Sequence, residues 1–162
     1  MKFKKGDVAV YPKYGVGTVD EIISKKVGST EIDCYVISIA DTGSRVFVPV
    51  STAHKTGLRT LSDKDAVKDA YRNFQRDSNA GLLRMNWNRR YKHLQEKLIS
   101  GKVDDIVNVI SDLTYLKNKK GLSFGEKQLL SEAEEIITSE FSIVENISKD
   151  EVREKIYKKI SF

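Results

Sequence analysis

Cysteine occurs once in 162 residues, at Cys34, so no internal disulfide can form and no cysteine-rich zinc site can assemble. Histidine occurs twice, at His54 and His93, widely separated, with no HxxxH pair and no cysteine beside either, which leaves no cluster of the three or four ligands that zinc needs. Proline also occurs only twice, at Pro12 and Pro49, and no run of 18 apolar residues is present to cross a membrane as a helix. No apolar stretch follows the first charges (Lys2, Lys4, Lys5, Asp7), so no secretory signal is expected there. The lone glycine pair Gly15 and Gly17 has neither a following helix nor a Lys-Ser/Thr, which argues against a phosphate loop and for a tight strand entry. No nucleophile stands beside a base, and Cys34 lies in an alternating strand where it packs rather than reacts. The expectation is a reduced, cytoplasmic protein with no enzymatic activity, metal or cofactor; a monomer is expected as well.

A content of 40% hydrophobic and 31% charged residues fits a soluble globular chain, and the formal net charge is +5. The distribution of that charge carries more than its sum. Residues 1–61 hold nine Lys or Arg against six Asp or Glu, and residues 62–162 hold nineteen against seventeen. Inside the second part, residues 84–102 place Arg84, Arg89, Arg90, Lys92, Lys97 and Lys102 against the single acid Glu96. Such a run is either a solvated helix face or a footprint for phosphate.

Periodicity divides the chain at the same point. Up to Leu61 the pattern alternates with period 2, through Val8 and Val10, Val16 and Val19, Ile32 to Ile39, and Val46 to Val50. Turn signals at Gly28-Ser29 and Asp41-Thr42-Gly43 cut it into short strands, which predicts a small, strongly bent antiparallel barrel over residues 1–61. Beyond it the spacing is helical. Ser62, with Asp63 and Asp65, opens a helix to about Phe74, and Asp77 to Gly81 reads as a loop. Asn86 caps a second helix to Ser100 with Gly101 just beyond, and a third carries Val103, Ile106, Val107, Ile110, Leu113 and Leu116 on one face. Capping boxes at Ser123–Glu126 and Ser148–Glu151 open two more. The expected class is α+β in two domains, a β-barrel over 1–61 and a compact bundle of about five helices over 62–162.

Trp87, the only tryptophan, stands at the start of the second helix beside the basic run. At 100° per residue Trp87, Tyr91, Leu94 and Leu98 form one narrow stripe, which makes Trp87 a core residue. Its place at the first turn, flanked by Arg89 and Lys92, allows the opposite: an apolar wedge ringed by cations, as in proteins that enter a minor groove at an unstacked step.

Five blocks in order along the chain carry a family resemblance. They are Phe3-Lys4-Lys5-Gly6-Asp7-Val8-Ala9-Val10-Tyr11-Pro12-Lys13-Tyr14-Gly15-Val16-Gly17, Val48-Pro49-Val50, Gly57-Leu58-Arg59, Asn86-Trp87-Asn88-Arg89-Arg90-Tyr91-Lys92 and Gly121-Leu122-Ser123-Phe124-Gly125-Glu126-Lys127. Together they resemble the CarD/CdnL family of bacterial RNA polymerase-binding transcription regulators. The resemblance implies a Tudor-like N-terminal domain on the β subunit of RNA polymerase and a helical C-terminal domain on promoter DNA. It also implies stabilisation of the open complex by a tryptophan wedged in the minor groove at the upstream edge of the bubble, largely without regard to sequence. Carried over by position, the wedge is Trp87, the DNA-facing cations are Arg89, Arg90 and Lys92 in its block and Lys127 in the last one, and the polymerase face holds Lys25, Arg45, Phe47 and Pro49. The chain departs from many relatives at Phe47, where they carry an arginine. Arg45, two residues earlier and so on the same strand face, is the replacement cation, with Lys25 in the place of a basic residue on the neighbouring strand. A different class remains open beside this one, an RNA-binding module of the SH3-barrel type acting in translation or antitermination.

Overall fold

The computed structural model describes residues 2–74 and 80–160, which fall into two compact units, Met1–Leu61 and Ser62–Phe162. In the first, the alternating runs become β1 (Val8–Tyr11), β2 (Gly15–Val27), β3 (Thr30–Ile39), β4 (Arg45–Pro49) and the two-residue β5 (Arg59–Thr60). Every neighbouring pair is antiparallel, in the order β4-β3-β2-β1-β5. Gly28, in the left-handed region at φ 66°, and Ser29 turn β2 into β3, with Val27 opposite Thr30. A bulge between Val19 and Glu21 breaks the register of the long strand β2 and bends it.

Period-2 alternation sends Val19, Tyr35, Ile37, Ile39 and Val48 to one face, where they pack with Phe3, Ala9, Ala53 and Leu58. The Tyr35 hydroxyl is kept in this core by a bond from the Phe3 backbone N–H at 3.1 Å, and the two rings meet edge to face with centroids 5.6 Å apart. Cys34 and Val36 are buried on the opposite face of β3. Where the alternation predicts a barrel, the hydrogen bonding gives an open sheet: β4 and β5 are its edges, and no ladder joins them among the described residues. The connection explains this. The chain leaves β4 at Pro49, which has no N–H to give a further strand, and turns through a 3₁₀ segment (Val50–Thr56) that sinks Ala53 into the core. Only Arg59 and Thr60 remain to pair with β1.

The second unit is helical: α1 (Lys64–Asn73), a 3₁₀ turn (Ala80–Arg84), α2 (Trp87–Ser100), α3 (Val103–Lys119), α4 (Phe124–Glu145) and α5 (Lys149–Lys159). The α+β layout follows the periodicity, and most ends follow the capping signals. Asn86 Oδ1 accepts from the Arg89 N–H, Gly101 closes α2 in the left-handed region, and Ser148 accepts from the Glu151 N–H. The first helix differs by one residue, since Asp63 caps it through the Ala66 N–H while the Ser62 N–H is taken by the buried Glu140 carboxylate at 2.8 Å. Helix α3 is buried beyond the predicted stripe. Val109 is sealed along with Ile106, Val107, Ile110, Leu113 and Leu116, because α1, α2 and α4 all pack against it. Asp77, Ser78 and Asn79 of the predicted loop lie outside the described residues, and Gly81 lies in the 3₁₀ turn.

Gly17 sits where β2 crosses β3 closely, and a Cβ there would lie 2.6 Å from Ile37 Cγ2 and 2.8 Å from the Ser38 carbonyl oxygen. Backbone cannot yield as a side-chain tip can. Gly17→Ala is therefore expected to destabilise the β unit by roughly 1–3 kcal/mol in thermal unfolding; wild-type stability would contradict this packing.

Candidate nucleic-acid interface

The stripe on α2 grades from core to solvent. Leu98 and Leu94 are buried, Tyr91 is half-buried, and Trp87 at the helix start is 43% exposed. Trp87 thus continues the core stripe past the edge of the bundle. It is not loose there. The indole lies nearly parallel to Tyr91 (centroids 4.9 Å apart, planes at 18°), and its Nε1–H donates to Ser123 Oγ at 2.9 Å. Gly125 leaves room beneath both rings, for a Cβ at that position would lie 3.0 Å from Tyr91 Cε2 and 3.4 Å from Trp87 Cζ2.

Ser123 is the N-cap of α4, and its hydroxyl also accepts from the Glu126 N–H at 3.1 Å, so both of its lone pairs are engaged. The Glu126 side chain returns to the Ser123 N–H at 3.2 Å, closing the capping box. The same carboxylate takes the Arg90 guanidinium in a fork, Nε to Oε2 at 2.8 Å and Nη2 to Oε1 at 3.4 Å, while Arg90 Nη1 donates to the Met85 carbonyl at 3.1 Å. Both side chains are sealed, at 4% and 3% exposure. Burial alone would push the Glu126 carboxyl up, but the bonds from Arg90 and Ser123 outweigh it and hold the group below its ordinary value. One polar network therefore runs from Met85 through Arg90, Glu126 and Ser123 to the indole, tying the start of α2 to the start of α4.

Of the cations predicted for this surface, Arg89, Lys92 and Lys127 are exposed, as is Arg84. Arg90 is not: its guanidinium is buried and bonded to Glu126 and the Met85 carbonyl, out of reach of a phosphate at the surface. The helical phase carries this signal, since Arg90 lies four residues before the buried Leu94 and Glu126 lies three and four before Leu129 and Leu130. Phe124, the first residue of α4, is 77% exposed between the two residues that hold the indole, and the periodicity of α4 passes over it.

In the β unit, Lys25, Arg45, Phe47 and Pro49 share one face. Phe47 pairs with Val36, Pro49 with Cys34, Arg45 with Ser38, and Lys25 with Ile32, all on the side of β3 away from the core. Lys25 belongs to β2, one strand further from β4 than the predicted neighbour. It reaches across β3 to set Nζ 3.6 Å from the centroid of the half-exposed Phe47 ring. Arg45 is exposed and already meets carboxylates, Glu21 at 3.3 Å and Asp20 at 3.8 Å. Among the described residues, no group of three or more His, Cys, Asp or Glu could hold a metal ion, and no helix is long and apolar enough to cross a membrane.

Known proteins are similar over both units. The family model described as CarD, C-terminal domain, matches residues 71–157, and the CarD-like/TRCF RID domain model matches residues 3–62. A curated protein of Bacillus subtilis (strain 168), named "Putative transcription factor YdeB", is 29% identical over 151 residues, which covers 93% of this chain and 97% of that protein.

Removing one partner of the sealed pair strands the other. Arg90→Ala is expected to cost roughly 3–5 kcal/mol at neutral pH, measured by denaturant unfolding. Folding lowers the Glu126 carboxyl below its ordinary 4.5, so the pair contributes fully above that value and is lost as pH falls through the lowered one. The gap between wild type and Arg90→Ala should therefore narrow in acid; a gap that is small at neutral pH, or widens in acid, would contradict the network.

Proposed function

This chain belongs to the CarD family of bacterial transcription regulators, and on that footing we propose that it is a non-enzymatic factor that grips RNA polymerase with its β unit and promoter DNA with its helical unit. The observation that carries this reading is the state of Trp87, half in water yet held on two sides by Tyr91 and Ser123. A large ring kept at a surface loses little further freedom when it enters a ligand, which is the economy of a preorganised wedge. In this reading the indole fills the minor groove where bases unstack at the upstream edge of the bubble, and closing the bubble then requires its expulsion. Arg89, Lys92 and Lys127 meet backbone phosphates, which fixes position without reading sequence.

The polymerase β subunit is the partner proposed for the sheet face of Lys25, Arg45, Phe47 and Pro49. Phe47 under its lysine offers an apolar contact, and Arg45 can exchange its exposed intramolecular carboxylates for acids of the partner at little net cost, because exposed ion pairs contribute about 0–1 kcal/mol. Tethering raises the local concentration of the DNA-binding unit, so a modest net charge of +5 suffices. The bent sheet with its 3₁₀ crossover is read as the Tudor-like domain of this family, and the site of action is the nucleoid, with polymerase.

Open-complex lifetime on a promoter fragment, followed after adding excess competitor, tests the reading. Trp87→Ala is expected to cost roughly 1–3 kcal/mol in folding, the loss of one ring stack and one exposed hydrogen bond, yet to remove most of the added lifetime. Trp87→Phe should retain part of it. Arg45→Glu should lose it while leaving the helical unit's affinity for DNA unchanged. Wild-type lifetime with Trp87→Ala would overturn the wedge.

A further inference from the structure

A second aromatic ring stands where the indole is anchored. Phe124 is the most exposed large apolar side chain among the described residues. The fold makes no use of it. It lies nine residues before the buried Ala133, about half a turn round α4 from the packed stripe, and the first position of a helix gains nothing from an aromatic ring. Its neighbours are the two residues of α4 that meet the indole: Ser123 accepts its N–H, and Gly125 lies under its ring. The backbone carrying Phe124 is therefore fixed relative to Trp87 by the capping box and the buried Arg90–Glu126 pair.

The surroundings say what such a ring would meet. Residues 84–92 and 121–128 contain one acid, Glu126, and it is sealed and neutralised by Arg90. Lys127 is exposed one turn beyond Phe124, about 60° round the helix. An aromatic face beside an exposed cation, with no exposed acid in either of these two segments, matches the two parts of a nucleotide, a π-surface and a phosphate. Building on the function proposed above, we infer that Phe124 is a second base-contacting residue: it stacks on a base left unpaired next to the step that Trp87 fills, with Lys127 toward that nucleotide's phosphate.

The test compares the full-length protein and its variants on two DNAs of one sequence, a complete duplex and a duplex ending in unpaired bases, by fluorescence anisotropy at low salt. Wild type should prefer the forked DNA, and Trp87→Ala should lose that preference. Phe124→Ala should bind the fork at least about 5-fold more weakly, the lower end of what one base–aromatic stack contributes, with unchanged duplex binding and thermal unfolding. Phe124→Tyr should restore fork binding. If Phe124→Ala matches wild type on the fork while Trp87→Ala does not, the inference falls and the wedge stands. If wild type has no preference for the fork, both fall together.

Discussion

The buried ion pair between Arg90 and Glu126 is the constraint on which the rest of the helical unit's surface depends. Two sequence segments 36 residues apart, each the opening of a helix, are brought side by side by a fork of charge-assisted bonds from which water is excluded. Such a pair is a weak source of net stability, because desolvating both ions offsets most of their attraction, and apolar residues of the same volume can do as well. What apolar residues cannot do is define orientation. The carboxylate that takes Arg90 also closes the capping box on Ser123, and the hydroxyl of Ser123 in turn takes the indole N–H. The direction of Trp87 is thus set by bonds whose geometry is as narrow as that of the pair itself.

That arrangement separates holding from contacting. Arg90, Glu126, Ser123 and Gly125 shape the seat, whereas Trp87 and Phe124 stand out of it, and Arg89, Lys92 and Lys127 surround it with positive charge. The β unit follows another logic. Its outer face is anchored by Cys34 and Val36 beneath, and over them lie contacts that are easily exchanged, a lysine on a half-exposed ring and an arginine on exposed carboxylates. The helical surface suits a ligand met in one geometry; the sheet surface suits a partner whose side chains replace the chain's own.

Local signals carried much of this into the sequence. Asn86, Gly101, Ser123 with Glu126, and Gly28-Ser29 each mark an element end through the bond or backbone angle they supply, and each acts there in the fold. Signals that need a partner from elsewhere were less legible. The burial of Arg90 is implied by its phase with Leu94, but the charge run around it masks that phase, and only the juxtaposition of α2 and α4 reveals its carboxylate. Lys25 stands one strand further from β4 than the resemblance implies, because a shared face does not fix strand order. The open sheet is equally hidden in the pattern: alternation does not reveal that a 3₁₀ turn consumes the residues between β4 and β5. Whether Trp87 is core or surface was undecidable from its stripe, since it belongs to both.

Because Trp87 is the chain's single tryptophan, its fluorescence reports that one indole in the unmodified protein. Titration with forked promoter DNA is the most direct measurement of the wedge. Stacking against unpaired bases should quench the emission strongly, while a complete duplex bound to the same extent should leave it nearly unchanged. Emission unaltered by the fork at saturation would show that no base meets the exposed face of the indole, and would contradict its role as the wedge.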